Sequence, residues 1–105
     1  MEGYEIKWTS RAKKDFRKVY FFNCELIGEE KAFKLIIQIL DRVEILSDVR
    51  FVHTGSLDEQ FSHLQHNYKK LIEKNIKITY RLSKTKKIVY INRVFDTRQN
   101  PSKNK

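Results

Sequence analysis

The sequence has few of the residues from which small proteins build disulfides, phosphate loops and membrane anchors. Its single cysteine, Cys24, allows no internal disulfide, so we expect a reduced, cytoplasmic setting. Gly3, Gly28 and Gly55 lie too far apart for a glycine-rich phosphate loop. No apolar run approaches the about 20 residues that cross a membrane. The N-terminal segment has acids where a secretory signal needs an apolar stretch. We therefore expect neither export nor a membrane span.

Histidine and cysteine are also too few, and too irregularly placed, to predict a metal site. His53, His63 and His66 match no zinc-ligand spacing, and there is no second cysteine, so we expect no metal and no cofactor. The sequence suggests no histidine or asparagine partner that would activate Cys24 as a nucleophile, so its expected role is structural. His66 precedes Tyr68 by two residues and is a candidate proton-transfer group, with an ordinary surface-loop histidine as the alternative.

Acidic residues are almost missing from the C-terminal part of the chain. Residues 1–64 carry 10 Lys and Arg against 11 Asp and Glu, whereas residues 65–105 carry 12 against 2. The whole net charge of +9 therefore comes from the last part of the sequence. Such an asymmetry favours a polyanionic partner, either a nucleic acid or an acidic protein, over a merely solvated surface.

The first half has the pattern of a strand followed by a helical hairpin. Residues 4–8 alternate between apolar and charged side chains, as in a half-buried strand. Thr9 and Ser10 are good N-cap residues for a helix from Arg11 to Asn23, and Gly28 breaks the chain before a second helix that ends near 48. The apolar stripe of the first helix is Ala12, Phe16, Val19 and Asn23, and that of the second is Phe33, Ile36, Ile37, Leu40, Val43 and Leu46. The aromatic residues expected in the core are Phe16, Phe21, Phe22 and Phe33.

The second half predicts three consecutive antiparallel strands. Residues 49–66 show no clean period, but 68–72, 76–82 and 88–95 read as strands joined by short turns at Asn75 and at 83–86. The nearly continuous apolar run of the last strand places it inside the sheet, beside the N-terminal strand. The fold class is thus α+β, with the helices packed on one face of the sheet. Pro101 ends regular structure, so we predict one domain over residues 1–101 and a polar basic tail over 102–105.

Alternation along the middle strand predicts a basic open face. If the helices cover the apolar residues of 76–82, then Lys77, Thr79 and Arg81 point away from them. Such a face suits a phosphate backbone, although the same charges would also keep an exposed sheet soluble and protect its edges. The further candidate contacts for a target or nucleic acid are Lys69, Lys70, Lys74 and Arg93.

Several segments together resemble the RelE/ParE-type toxins of bacterial toxin–antitoxin pairs. The early segments are Ala-Lys-Lys-Asp-Phe at 12–16 and Lys-Ala-Phe at 31–33. Later ones are Asn-Tyr-Lys-Lys-Leu-Ile at 67–72, Ile-Lys-Ile-Thr-Tyr-Arg at 76–81 and Val-Phe-Asp-Thr-Arg-Gln-Asn-Pro at 94–101. The resemblance covers nearly the whole chain, and the segments at 67–72 and 94–101 are its most specific parts.

The resemblance implies a helical hairpin on a twisted antiparallel sheet and an antitoxin that holds the toxin inactive. RelE-like members cut messenger RNA in the ribosome with basic sheet residues and a tyrosine or histidine near the C-terminus, whereas ParE-like members inhibit DNA gyrase. By position, Arg98 and Lys77 match basic residues of the ribonucleases, but no tyrosine or histidine follows Arg98. The resemblance therefore implies a ParE-like toxin with Arg98 as a further target contact. A ribonuclease, with Arg98, Lys77, Arg81 and His66 as candidate catalytic residues, or a non-toxic binding module are the alternatives. The oligomeric state stays open.

Overall fold

The elements of the fold follow the predicted order of strand, helical hairpin and strands. The computed structural model describes residues 3–48, 56–57 and 68–99. Within these residues the elements are β1 (Glu5–Trp8), α1 (Ser10–Ile27), α2 (Glu29–Glu44), a 3-10 turn (Ile45–Ser47), β2 (Ser56–Leu57), β3 (Lys69–Glu73), β4 (Ile76–Ser83) and β5 (Ile88–Asp96). In that part of the chain, no helix is long and apolar enough to cross a membrane. The predictions for His53, His63, His66 and the tail 102–105 lie outside the described residues.

The sheet has the strand order β1-β5-β4-β3-β2. The predicted antiparallel meander β3-β4-β5 is confirmed, and so is the interior position of β5 beside β1. However, β1 runs parallel to β5, which makes the sheet mixed rather than wholly antiparallel as the resemblance implied. Alternation of apolar and polar residues says which face a side chain occupies but not in which direction a neighbouring strand runs, so the sequence pattern alone carried no sign of this pairing.

Helix α1 begins at the predicted cap but extends four residues beyond its predicted end. Thr9 Oγ1 accepts a hydrogen bond from the Ala12 amide at 3.1 Å and donates to the Ile91 carbonyl at 3.1 Å, so one side chain caps the helix and ties it to β5. Nothing between Phe21 and Ile27 breaks a helix. The end comes at Gly28, whose φ of +88° suits glycine alone and whose amide donates to the Cys24 carbonyl at 3.0 Å.

The aromatic residues of the hairpin are less buried than the sequence predicted. Phe21 is 62% exposed and Phe33 is 58% exposed, so the prediction that both lie in the core is wrong, while Phe16 and Phe22 are partly buried. The physical reason is helical phase, since Phe33 is rotated by one residue from the stripe that α2 buries. Ile37 and Leu40 lie on the same exposed flank. The buried stripe of α2 is Ala32, Ile36, Ile39 and Val43.

The core lies between the hairpin and the helix-facing side of the sheet. Ile78 on β4 is paired with Leu71 and Val94 on the neighbouring strands, and all three are buried. Tyr80 is fully buried beside them. Directly paired residues point to the same face, so these pairings fix the sides of the residues of β3 and β4. The register of β4 against β5 shifts between Thr79 and Tyr80, so the first half of β5 is assigned by the separate pairs Tyr80–Ile91 and Arg81–Tyr90.

Candidate functional site

A buried carboxylate organises the end of β5. Asp96 is the last residue of the strand and is fully buried. Its oxygens accept hydrogen bonds from Arg98 Nε at 2.9 Å, Arg98 Nη2 at 2.7 Å and Asn23 Nδ2 at 3.0 Å. Arg98 Nη2 also donates to Asn23 Oδ1 at 2.9 Å, which closes a three-residue network between α1 and the segment after β5. We call these three residues the Asp96 cluster.

The chain leaving β5 turns back on the same carboxylate. The backbone amide of Arg98 donates to Asp96 Oδ1 at 2.9 Å, an Asx-turn, and the Gln99 side chain accepts from the Asp96 amide at 3.1 Å. The Thr97 amide donates to the Asn75 carbonyl in the β3–β4 turn at 2.7 Å. The position of the Arg98 side chain is therefore fixed by both backbone and side-chain contacts.

The electrostatics of the Asp96 cluster favour its charged form. Burial alone would raise the pKa of Asp96, but hydrogen bonds from the side chain and backbone of Arg98 and from Asn23 outweigh it and lower that pKa below its ordinary value. In turn, the hydrogen bond to Asp96 raises the pKa of Arg98 despite partial burial. Asp96 and Arg98 therefore form an ion pair. Removing one partner of a buried ion pair strongly destabilises the protein, because the other charge is left buried and unpaired.

Beside the Asp96 cluster lies a basic cleft of about 280 Å³. Its walls come from the end of α1, the first turns of α2, the β3–β4 turn and Arg98. Its cations are Lys31, Lys34, Lys74 and Arg98, and among the described residues that line it there is no carboxylate. The other lining residues are Asn23, Gln38, Asn75, Ile27, Leu35 and Ile76. The cleft thus combines positive charge and amides with an apolar floor.

The open face of the sheet holds a second set of cations, supported by aromatic rings. Lys77 is paired with Phe95 and Arg81 with Tyr90, and these residues lie on the side away from the hairpin. The Arg81 guanidinium lies 4.2 Å from the centroid of the Tyr90 ring. The Arg93 guanidinium lies 4.3 Å from that of Phe95. Such cation–π contacts hold the guanidinium in place but leave its edge for another partner.

One of these open-face arginines also anchors α1 to the edge of β5. Beyond the end of β1 the β5 edge meets α1, where buried Asp15 accepts from the Val94 amide at 3.1 Å and from Arg93 Nε at 2.7 Å. Asp15 therefore caps part of the strand edge and neutralises Arg93 at once. Arg93 is less available to a partner than its place on the open face suggests.

The candidate contact residues lie on two surfaces of the sheet. Lys69 is paired with the core residue Tyr80 and so lies on the helix-facing side. Lys74 and Arg98 line the cleft on that same side. Those that share the open face are Lys70, Lys77, Arg81 and Arg93. A ligand that spans one surface cannot contact both sets.

Sequence reasoning missed the residues that complete the cleft and the cluster. Asn23 was recognised as a polar member of an apolar stripe, and a polar side chain at a core position is itself a sign of a buried partner. Lys31, Lys34 and Gln38 recur at the three-to-four-residue spacing of one helix flank, so their shared face was readable. Nothing in the sequence indicated that these three residues lie beside Lys74 and Arg98 in the fold. Among the residues that the structure describes, no group of three His, Cys, Asp or Glu side chains is placed to hold a metal.

Comparison with solved structures relates this architecture to known proteins. A protein of the chromosomal ParDE toxin–antitoxin system from P. aeruginosa superposes with a TM-score of 0.70 and 26% identity, over 89% of this chain and 95% of that one. A chain of the RelBE2 toxin–antitoxin complex from Mycobacterium tuberculosis gives a TM-score of 0.64 and 15% identity, over 90% and 99% of the two chains. The chain therefore has the fold of the RelE/ParE toxins.

The similarity to RelE/ParE proteins is found by comparing structures and not by comparing sequences. A mutant of E. coli toxin RelE in the free state matches with a TM-score of 0.59 and 14% identity, over 98% of this chain and 93% of that one. No family model matches the sequence, and no curated protein matches it either. Of the three structures, the ParDE protein agrees best with this chain in both fold and sequence.

Proposed function

We propose that the protein is the toxin of a type II toxin–antitoxin system, that it is ParE-like, and that it inhibits DNA gyrase. The support from relatives is the ParDE protein, which is similar over nearly the full length of both chains. The gyrase target comes from the ParE-like ending at 94–101, since ParE-type toxins are inhibitors of that enzyme.

The observation that carries this choice over a ribonuclease is the state of Arg98. A ribonuclease of the RelE-like kind needs a guanidinium to meet the charge that develops on the scissile phosphate. Here Nε and Nη2 of Arg98 are both bound to Asp96 or Asn23, so Arg98 cannot hold a phosphate with these two groups together, and only Nη1 is left for a single-sided contact. Arg98 holds the end of β5 against α1, and a structural arginine suits a toxin that acts by binding.

The helical hairpin has the apolar surface that an antitoxin would cover. Side chains of this size exposed on one element mark a contact surface more often than scattered apolar residues do. Neutralisation by an antitoxin would bury them and leave the toxin unable to reach its target. The exposed apolar residues of the hairpin are Phe21, Leu26, Ile27, Phe33, Ile37 and Leu40.

A supercoiling assay tests the gyrase proposal. The purified chain is titrated into gyrase with relaxed plasmid, and we expect supercoiling to fall with dose. A protein of net charge +9 also coats DNA, so the same titration is run with a topoisomerase that relaxes the same plasmid. Loss of gyrase activity alone supports the proposal. Equal loss with both enzymes, or full gyrase activity at saturating protein, refutes it.

The open face favours a ribosome-dependent messenger RNA endonuclease as the second candidate. Lys77 and Arg81 share that face with Tyr90, which is the pattern of cations and an aromatic ring that suits an RNA backbone and base. An in-vitro translation reaction tests it by messenger length and protein yield. Cleavage that is lost in the Lys77→Gln/Arg81→Gln variant but kept in Lys31→Gln/Lys34→Gln, which has the same charge change, supports it. Intact messenger with normal yield excludes it.

A further inference from the structure

Within the described residues, two cations of the basic cleft, Lys31 and Lys74, have no acidic partner. Lys34 has Glu30 at 3.7 Å on the helix surface, and Lys74 Nζ donates to the neutral Gln38 Oε1 at 2.9 Å. A concave site with several cations and no acid in its lining attracts an anion.

The β3–β4 turn places Lys74 at the cleft. Lys74 has a φ of +55°, a left-handed conformation that costs a non-glycine residue about 1 kcal/mol. Glycine or asparagine would adopt it at lower cost, and the next residue is Asn75. The conformation brings the ammonium to α2, at the rim of the cleft. Lys87 has a similar φ of +58° and does not line the cleft, so the conformation belongs to the tight turn, and what bears on binding is where it places the Lys74 ammonium.

Among the hydrogen bonds of the described residues, none uses Nη1 of Arg98, the edge of the guanidinium that is left for the cleft. The Arg98 side chain is 41% exposed. Because Asp96 fixes the orientation of the guanidinium, the free N–H groups need no ordering when a ligand arrives, which lowers the entropic cost of binding.

The size and lining of the cleft select the class of ligand. At about 280 Å³ it lies just below the roughly 300–1,000 Å³ of small-molecule pockets, so it has room for one or two side chains. A phosphate backbone would make no use of the apolar lining residues Ile27, Leu35 and Ile76. An acidic side chain next to an apolar one uses both parts of the lining, and peptide segments supply that combination.

We propose that this cleft receives an acidic segment of the antitoxin. A glutamate or aspartate carboxylate of that segment accepts hydrogen bonds from Lys31, Lys74 and Arg98, and an adjacent apolar side chain covers Ile27 and Leu35. The naming of the antitoxin as the source of the segment rests on the function proposed above. The recognition of an acidic peptide rests on the cleft alone.

Fluorescence anisotropy on the purified full chain tests the recognition. The probe is a labelled hexapeptide of alternating glutamate and leucine, and its counterpart has glutamine in place of glutamate. The cleft variant is Lys31→Gln/Lys74→Gln, and the matched control is Lys70→Gln/Lys77→Gln on the open face, which removes the same charge. We expect the cleft variant to bind the acidic probe about tenfold more weakly, because charge-assisted hydrogen bonds are lost, while the control stays within about twofold.

The outcomes separate the proposal from its alternatives. Equal affinity for the glutamine peptide, or equal loss in the open-face variant, overturns it, because recognition would then be apolar or a general effect of charge. Displacement of the probe by inorganic phosphate or a short RNA at lower concentration than by unlabelled peptide also overturns it. A thermal melt of each variant shows whether it is folded. In NMR spectra, shifts of the side-chain amide signals of Asn23, Gln38 and Asn75 on adding the acidic probe would place the probe in the cleft.

The same samples keep this inference distinct from the proposed function. A chain that inhibits gyrase but binds the acidic probe with no dependence on Lys31 and Lys74 is a toxin without this site. A chain that binds the probe through the cleft but impairs neither gyrase nor translation has the site, and then the toxin assignment fails.

Discussion

Arg98 on the helix side of the sheet and Arg81 on its open face are held in place by different means. On the helix side, Arg98 is bound by the buried carboxylate of Asp96 and by Asn23, and Arg42 lies 3.5 Å from Glu73. On the open face, the Arg81 guanidinium rests on the ring of Tyr90. A charge that is cut off from water needs an opposite charge, whereas a solvated one needs only a support for its position. The difference separates an ion pair that stabilises the fold from an arginine that can still take a partner. Arg93 lies on the open face but belongs with the first kind, because buried Asp15 binds it.

The largest expected effect comes from breaking the helix-side network. Asp96→Ala leaves the Arg98 guanidinium and the Asn23 amide without their acceptor, so we expect the free energy of unfolding to fall by about 3 kcal/mol. This is the lower end of the range for buried pairs, because Arg98 is partly exposed. Urea unfolding measures it, with Arg81→Ala on the open face as the comparison. If both variants lose the same stability, the two faces do not differ as argued.

The second effect is a dependence on pH that the Asp96–Arg98 pair should show and the Arg81–Tyr90 contact should not. The pKa of Asp96 is lowered in the folded state below the about 3.9 of an unfolded aspartate. Its ionised form therefore contributes stability that is complete above about pH 4 and is lost as the pH falls through the folded pKa. We expect the difference in unfolding free energy between the native chain and Asp96→Asn to be largest near neutral pH and to shrink in acid. A difference that stays constant down to about pH 2 would contradict the ion pair.

The third effect is smaller and belongs to the open face. A double-mutant cycle of Arg81→Ala and Tyr90→Phe or Tyr90→Ala measures the cation–π contact, and we expect a coupling of about 0.5–1 kcal/mol with alanine. Phenylalanine keeps the ring, so its coupling to Arg81 should stay near zero in the cycle. Coupling as large as that between Asp96 and Arg98 would remove the contrast between the faces.

The smallest effect separates stability from binding within the cleft. Lys74→Asn replaces a lysine by a residue that tolerates the left-handed conformation, so we expect the free energy of unfolding to stay unchanged or rise by a few tenths of a kcal/mol. Affinity for the acidic hexapeptide should nevertheless fall. Loss of stability in this variant would mean that Lys74 supports the fold through Gln38 more than it serves a ligand.

Local patterns account for the parts of the fold that were predicted correctly. Thr9 caps the helix as expected, and the alternation of 76–82 separates the core residues Ile78 and Tyr80 from Lys77 and Arg81. These features depend on neighbours within a few residues, so they can be read from one segment at a time. The exposure of Phe21 and Phe33 could not be predicted from one segment. A helix with apolar residues on more than one flank does not reveal which flank meets the sheet.

The candidate site was only half predictable for the same reason. Lys69 and Lys70 are neighbours in sequence but lie on opposite faces, and strand register decides which of them is on the open one. Lys74 and Arg98 come from a turn and from the end of a strand, where no period predicts direction. Asp15 and Asp96 were visible as acids in a basic chain, but their burial depends on helix packing.

The sequence by itself determined the α+β class, the order of the elements and the resemblance to the RelE/ParE toxins, because these depend on short-range periodicity and on the residues of particular segments. The tertiary structure decided the parallel pairing of β1 with β5, the union of Asp96, Arg98 and Asn23, and the division of the cations between a cleft and an open face. The physical reason is distance along the chain. Asn23 and Asp96 are 73 residues apart, and only the packing of α1 against β5 brings an amide and a carboxylate to within 3.0 Å.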